Sequence, residues 1–264
     1  MYTHDLLCKT FVAVAGLLVI LSAPGECDAL PKELVPAARM DFRSADPSRA
    51  IGIFGDYWWA NRFLERHQLV ERLRGRQVDL VLIGDSITQR WEGGHPVSWA
   101  NFTQGHTVVN LGYGSDGTQN VLWRILHGEL DGYEAKCVAI LIGVNNTAKD
   151  GVEPANVAAA IRKIVMLVRE RQPKAKVILN AIFPVGDSPT SKLAECRRLS
   201  DETNRLLKSF VDADGKIAWI DCGAKFLDGS GWVPRSLMPD EVHPTDEAYA
   251  IWAEALRAEI GWKQ

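Results

Sequence analysis

A hydroxyl is a poor nucleophile at neutral pH until a base such as imidazole takes its proton, and that base is held in one tautomer by a carboxylate or carbonyl. Parts for such a device occur in two distant places, Gly84-Asp85-Ser86-Ile87-Thr88 and Asp240-Glu241-Val242-His243-Pro244. Ser86 directly follows an apolar run, which puts it at a strand-to-helix turn where its hydroxyl is exposed and neighbouring backbone N–H groups can meet an oxyanion. The same position suits an ordinary helix N-cap. Asp240 and His243, three residues apart, can supply carboxylate and imidazole from one turn, and they read equally as a surface turn.

Two further loops carry residues of the right type. Asn110-Leu111-Gly112-Tyr113-Gly114-Ser115-Asp116-Gly117 and Gly143-Val144-Asn145-Asn146 each follow an apolar run. Small residues let backbone donors approach a ligand, and an asparagine amide is a suitable oxyanion donor; glycine-rich turns also simply reverse the chain. Asp85 and Gly114 are candidate substrate contacts; Asp85 could in principle ligate a metal, and reads more simply as an organiser of hydrogen bonds beneath the serine turn. Trp91 could stack on a sugar ring or bound an acyl pocket, although aromatic side chains fill cores more often. Trp58, Trp59, Trp99 and Trp123 are placed in the core more readily than at a site. His67, His95, His106 and His127 read as surface or satisfied histidines.

Elements that could bring these residues together alternate along the chain. Val78 to Gly84, Thr107 to Leu111, Cys137 to Gly143 and Lys176 to Phe183 are short apolar runs rich in branched residues, with Lys216 to Ile220 as a shorter fifth. They read as strands buried on both faces. Tyr57 to Gly75, Thr118 to His127, Pro154 to Arg171, Ser191 to Val211 and Asp246 to Ile260 are amphipathic at helical period. Alternation of this kind implies an α/β fold, a three-layer α/β/α sandwich on a parallel sheet with right-handed crossovers. Ligands in such sheets bind beyond the carboxyl ends of the strands, so every candidate residue should gather there.

The remaining features bound the problem. With 264 residues, 47% of them hydrophobic and 24% charged, the chain can bury one substantial core. A formal net charge of −3 gives no support for binding nucleic acid or anionic membranes. Phe11 to Leu21 is an uninterrupted apolar run, too short to span a bilayer, which takes roughly 20 residues. It has the length of a secretory signal core, with Cys27-Asp28-Ala29 as a cleavage site; residues 1–29 are therefore set apart as a signal peptide, the alternatives being an uncleaved anchor or a buried N-terminal helix. That implies a secreted or periplasmic protein with no stable membrane insertion after processing. Residues 30–56 are expected to be an arm and 57–264 the catalytic domain. Cys137 falls in a strand pattern and reads as core, pairing of Cys196 with Cys222 is left open, and no spacing suggests a metal site.

Taken together, the blocks around Ser86, Gly114-Ser115, Asn145 and His243 resemble the SGNH (GDSL-type) hydrolase superfamily, in family order over residues 78–260. The stretch Asn110 to Leu130, with Val121-Leu122-Trp123-Arg124 and Gly128-Glu129-Leu130, is similar to the catalytic subunits of platelet-activating-factor acetylhydrolases. The resemblance implies a flavodoxin-like five-stranded sheet and a serine esterase with Ser86 as nucleophile, His243 as base and Asp240 as its partner. Oxyanion donors would be the N–H groups of Ser86 and Ser115 and the side chain of Asn145, and no cofactor is required. Ser115 stands where the family usually has glycine, which leaves Gly114 as a fallback donor if the loop shifts register. Three readings follow: an O-acetylesterase acting on acetylated carbohydrate, a lipid-directed esterase of the platelet-activating-factor or lysophospholipase type, and a catalytically silent ligand-binding module. The partner expected is a small-molecule or acetylated-glycan ester; a homodimer is left open.

Overall fold

The computed structural model describes residues 30–38, 58–149 and 151–263. The chain divides into two units, Met1–Leu30 and Pro31–Gln264, and the second is described below. The expected signal peptide and most of the expected arm lie outside the described residues. No helix among the described residues is long and apolar enough to cross a membrane.

Five strands, β1 (Gln77–Gly84), β2 (Val108–Gly112), β3 (Glu134–Leu141), β4 (Lys176–Asn180) and β5 (Ala218–Ile220), form one parallel sheet in the order β2-β1-β3-β4-β5. This is the flavodoxin-like order, and its switch point lies between β1 and β3, where the connections leave for opposite faces of the sheet. β1 is buried almost throughout because its Val, Leu and Ile side chains face helices on both sides. The helices α1 (Trp58–Arg72), α4 (Thr118–Leu126), α6 (Pro154–Arg171), α7 (Ala194–Asp214) and α8 (Asp246–Ile260) match the expected amphipathic segments within a few residues. Three shorter ones, α2 (Ser86–Gly94), α3 (Pro96–Thr103) and α5 (Val144–Thr147), complete the α-helices among the described residues. The sequence pattern did not announce α3.

Strands β3 and β4 end earlier than their apolar runs. Beyond β4 the backbone leaves the ladder and is held by side chains: Asn204 Oδ1 accepts the Ile182 N–H at 2.8 Å and its Nδ2 donates to the Ile182 carbonyl at 2.9 Å. Ala181, Ile182 and Phe183 stay buried nonetheless, so hydropathy alone cannot mark the strand end. The open edge of β2 is covered by α1, whose Arg62 donates to the Gly112 carbonyl at 2.6 Å and Arg66 to the Asn110 carbonyl at 3.4 Å.

Two glycines let α2 settle onto the sheet. Gly84 and Gly112 lie side by side in the β1–β2 register, and a Cβ on Gly84 would stand 2.1 Å from Thr88 Oγ1, one on Gly112 2.4 Å from the Gln89 nitrogen. Any larger residue would push the helix that begins at Ser86 off the strand ends. Trp91 then fills the space between α2, α3 and α8, stacked on Phe102 at 4.5 Å and Tyr249 at 5.2 Å and fully buried. Cys137, Cys196 and Cys222 are buried and free, so Cys196 and Cys222 form no disulfide.

Beneath the strand ends lies a buried ionic network. Arg124 on α4 is sealed from solvent; its Nε donates to Asp116 at 2.9 Å, Nη1 to Glu129, and Nη2 to the Gly84 carbonyl at 3.4 Å, while its guanidinium lies 3.9 Å from the centre of the Tyr113 ring. Burial raises the Glu129 carboxyl and pushes Asp116 up to about 6, against the opposing pull of Arg124. Removing one member of such a network leaves the others uncompensated. Arg124→Met is therefore expected to lower unfolding free energy by about 3–5 kcal/mol in urea titration at pH 7; a loss below about 1 kcal/mol would show that the network is not integral to the fold.

Candidate active site

Ser86 is the first residue of α2, and Asp85 is its N-cap, with Oδ1 accepting the Ile87 N–H at 2.9 Å. A helix beginning immediately after a strand turns its first N–H groups outward, where no intrahelical carbonyl can reach them. The serine hydroxyl is thus delivered to the carboxyl edge of the sheet at the N-terminus of a helix. Asp85 itself is buried, and desolvation, with the nearby Asp116 charge, pushes its carboxyl up to about 7 despite the Ile87 N–H.

The distant turn meets it there. His243 Nε2 lies 2.8 Å from Ser86 Oγ, and His243 Nδ1 lies 2.6 Å from Asp240 Oδ2. Asp240 Oδ1 in turn accepts the backbone N–H groups of His243 at 2.8 Å and Val242 at 3.2 Å, so one carboxylate orders both the turn and the ring. Partial desolvation lowers the His243 pKa, the Asp240 carboxylate acts to raise it, and Arg90 acts to lower it. Burial acts to raise Asp240, but hydrogen bonds from His243 and Val242 outweigh it and hold the carboxyl below its ordinary value. Arg90, four residues after Ser86 and on the same helix face, places Nη1 3.5 Å from Asp240 Oδ2.

The loops after β2 and β3 stand on either side of this pair, because Gly84 at the end of β1 registers with Gly112 on one side and Leu141 on the other. Ser115 is exposed and has φ +58°, in the left-handed region where a Cβ costs about 1 kcal/mol or more. It is held there by the next residue: Asp116 is clamped by Trp59 Nε1 at 2.7 Å and by Arg124. The Gly114 N–H donates to Gln89 Oε1 at 2.5 Å, which counts against Gly114 as the fallback donor. Asn145 is half-buried; its Nδ2 gives one hydrogen to the Asp116 carbonyl at 3.0 Å and retains a second. Asn146 Oδ1 accepts the Thr118 N–H at 2.9 Å, tying the two loops together.

Two expected substrate contacts are corrected. Trp91 belongs to the aromatic core, closed to any ligand, and its Nε1 is used by Ser98 at 3.1 Å. Asp85 is a buried cap beneath the serine turn. Conversely, the structure adds Gln89 and Arg90, whose spacing of three and four from Ser86 puts both beside it on the helix. No group of three or more His, Cys, Asp or Glu able to hold a metal occurs among the described residues.

Comparison with known proteins identifies the family and the fold. Residues 82–251 match the model of the GDSL-like Lipase/Acylhydrolase family. The chain is 28% identical over 216 residues to platelet-activating factor acetylhydrolase IB subunit alpha1 of Homo sapiens, covering 81% of this chain and 88% of that one. It is 30% identical over 207 residues to subunit alpha2 of Gallus gallus, covering 78% and 85%. Among solved structures, a GDSL-like lipase from Bacteroides thetaiotaomicron superposes with a TM-score of 0.61 at 20% identity, covering 75% of this chain and 97% of that one.

Any reaction using His243 as base requires the neutral ring, so its rate falls as pH drops through the His243 pKa. Because that pKa is lowered, the acid limb of kcat/KM should have its midpoint below the ordinary imidazole value of about 6.5. Arg90→Gln should move the limb to higher pH by removing a cation that disfavours the imidazolium. A downward shift in the pH–rate profile would exclude this account of Arg90.

Proposed function

The chain belongs to the GDSL-like lipase/acylhydrolase family and is a carboxylic ester hydrolase, and we propose that Ser86 is its nucleophile, His243 its base and Asp240 the partner of that base. The observation that carries this reading is the continuous path of hydrogen bonds from Ser86 Oγ through the imidazole to Asp240, at 2.8 Å and 2.6 Å.

His243 Nε2 takes the Ser86 proton as Oγ attacks the ester carbonyl, and Asp240 stabilises the imidazolium that forms. Negative charge collects on the carbonyl oxygen, where the N–H groups of Ser86 and Ser115 and the second Nδ2 hydrogen of Asn145 receive it. One such donor typically contributes about 3 kcal/mol to transition-state stabilisation. His243 returns the proton to the leaving alcohol, and water then resolves the acyl-enzyme through the same ring.

The acyl group is proposed to be acetyl, a reading supported by relatives whose names are those of acetylhydrolases. The alcohol side is proposed to be carbohydrate. Arg90, Asp240 and Ser115 form a polar, exposed rim, whereas a lipid esterase is expected to present a contiguous apolar surface. The large apolar side chains exposed among the described residues are Leu30, Val35, Leu64, Val97, Leu126 and Met166, none of them on the loops that carry the site. The second reading, an acetylated ether phospholipid, is favoured by the substrate named for those relatives. Export, with cleavage after Ala29, remains part of the proposal and rests on the Phe11 to Leu21 run; N-terminal sequencing of mature protein tests it.

Ser86→Ala should abolish turnover of aryl acetates and labelling by a fluorophosphonate while leaving the thermal transition in place. Retained labelling at another residue would move the nucleophile elsewhere, and a wild-type protein that neither labels nor turns over would be the silent binding module. His243→Ala should be more damaging than Asp240→Asn, and Asn145→Ala should lower kcat by roughly 100- to 1,000-fold. Acetate release from acetylated xylo-oligosaccharides should exceed release from acetylated ether phospholipid; the reverse order selects the lipid reading.

A further inference from the structure

Among the described residues, two non-glycine residues have a left-handed backbone, Ser115 and Glu241. Ser115 is accounted for by the oxyanion loop. Glu241, at φ +67°, lies between Asp240 and His243, at the turn that must present both side chains at once. A residue with a Cβ persists in this conformation only where its surroundings over-determine it.

Those surroundings are specific. The Glu241 carboxylate accepts from Ser191 Oγ on one oxygen and from the Arg235 guanidinium on the other. Arg235 also donates to Asp187 Oδ2 at 2.6 Å and to the Pro239 carbonyl at 3.3 Å, so it bridges three acceptors. The Glu241 backbone is fastened as well, its N–H to the Met238 carbonyl at 2.9 Å and its carbonyl to the Gly186 N–H at 3.1 Å. An isolated pair involving a side chain as exposed as Arg235 contributes little. Here, however, the Glu241 side chain is 17% exposed, and the network joins the loop following β4 to the loop carrying Asp240 and His243.

We propose that Glu241 is a positioning residue, whose carboxylate, gripped by Ser191 and Arg235, sets the left-handed turn that aims Asp240 and His243 at Ser86. The proposal rests on the reading that these three residues perform the chemistry. Its own content is that the aim of the pair is set from the β4 loop through a side chain that touches neither substrate nor the reacting atoms.

Glycine at 241 separates positioning from folding, since it adopts the left-handed turn without strain but carries no carboxylate. Glu241→Gly is expected to keep or raise the melting temperature while lowering kcat on an aryl acetate roughly 10- to 100-fold, the scale of a misplacement near 1 Å. KM should stay within about twofold, because the binding groups are untouched. The acid limb of kcat/KM should move down in pH as the imidazole loses its firm contact with Asp240. Arg235→Met should reproduce the loss of kcat, and Glu241→Gln, which still accepts from Ser191, should recover part of it. Wild-type kcat in Glu241→Gly, or a loss no greater than the fraction unfolded, would overturn the proposal. Ser86→Ala run alongside keeps the tests distinct: if it retains turnover the catalytic assignment has failed, whereas if it is inactive and Glu241→Gly is not impaired, only the positioning role has.

Discussion

Removing a guanidinium from water costs several kcal/mol unless its donors are met, and Arg124 has no solvent at all. Its donors go to Asp116, Glu129 and the Gly84 carbonyl. Those contacts lie directly under the two turns that matter most, because Gly84 ends the strand before Ser86 and Asp116 follows Ser115. The network therefore couples the candidate nucleophile to the loop carrying Ser115 through one rigid cation.

Around that anchor, the site is built from backbone placed under constraint. Ser115 and Glu241 each occupy a conformation that an L-residue adopts at some cost, and each is next to a side chain held by several partners. Asp116 is held by Trp59, Arg124 and its place beneath Asn145; the Glu241 carboxylate is held by Ser191 and Arg235. Stability invested in the surrounding core keeps these two turns in place. The parallel sheet supplies the common platform, since the ends of β1, β2 and β3 share one register and deliver three loops to one edge. The fourth contribution, from Asp240 and His243, arrives just before α8, whose Tyr249 donates to the Ile87 carbonyl at 2.6 Å and locks α8 against α2.

Much of this was legible in the sequence, and for a local reason. Hydrophobic period distinguishes buried strands from amphipathic helices within a window of a few residues, so the alternation from Val78 to Ile260 determined the fold class. Ser86, Asn145 and the Asp240/His243 turn were legible because their chemistry depends on residue type at the ends of those elements. What tertiary structure alone decided is which polar groups meet across the chain. Trp91 and Asp85 sit close to Ser86 in sequence yet are buried, Trp91 because the inner face of α2 packs on α3 and α8, and Asp85 because it caps that helix from beneath. Glu241 finds Ser191 and Arg235 only after the crossovers have folded, and Gln89 takes the Gly114 N–H only once β1 and β2 are side by side. Side-chain pairing at long range depends on register and helix docking, which no local pattern encodes, whereas element type and the chemistry at element ends are written residue by residue.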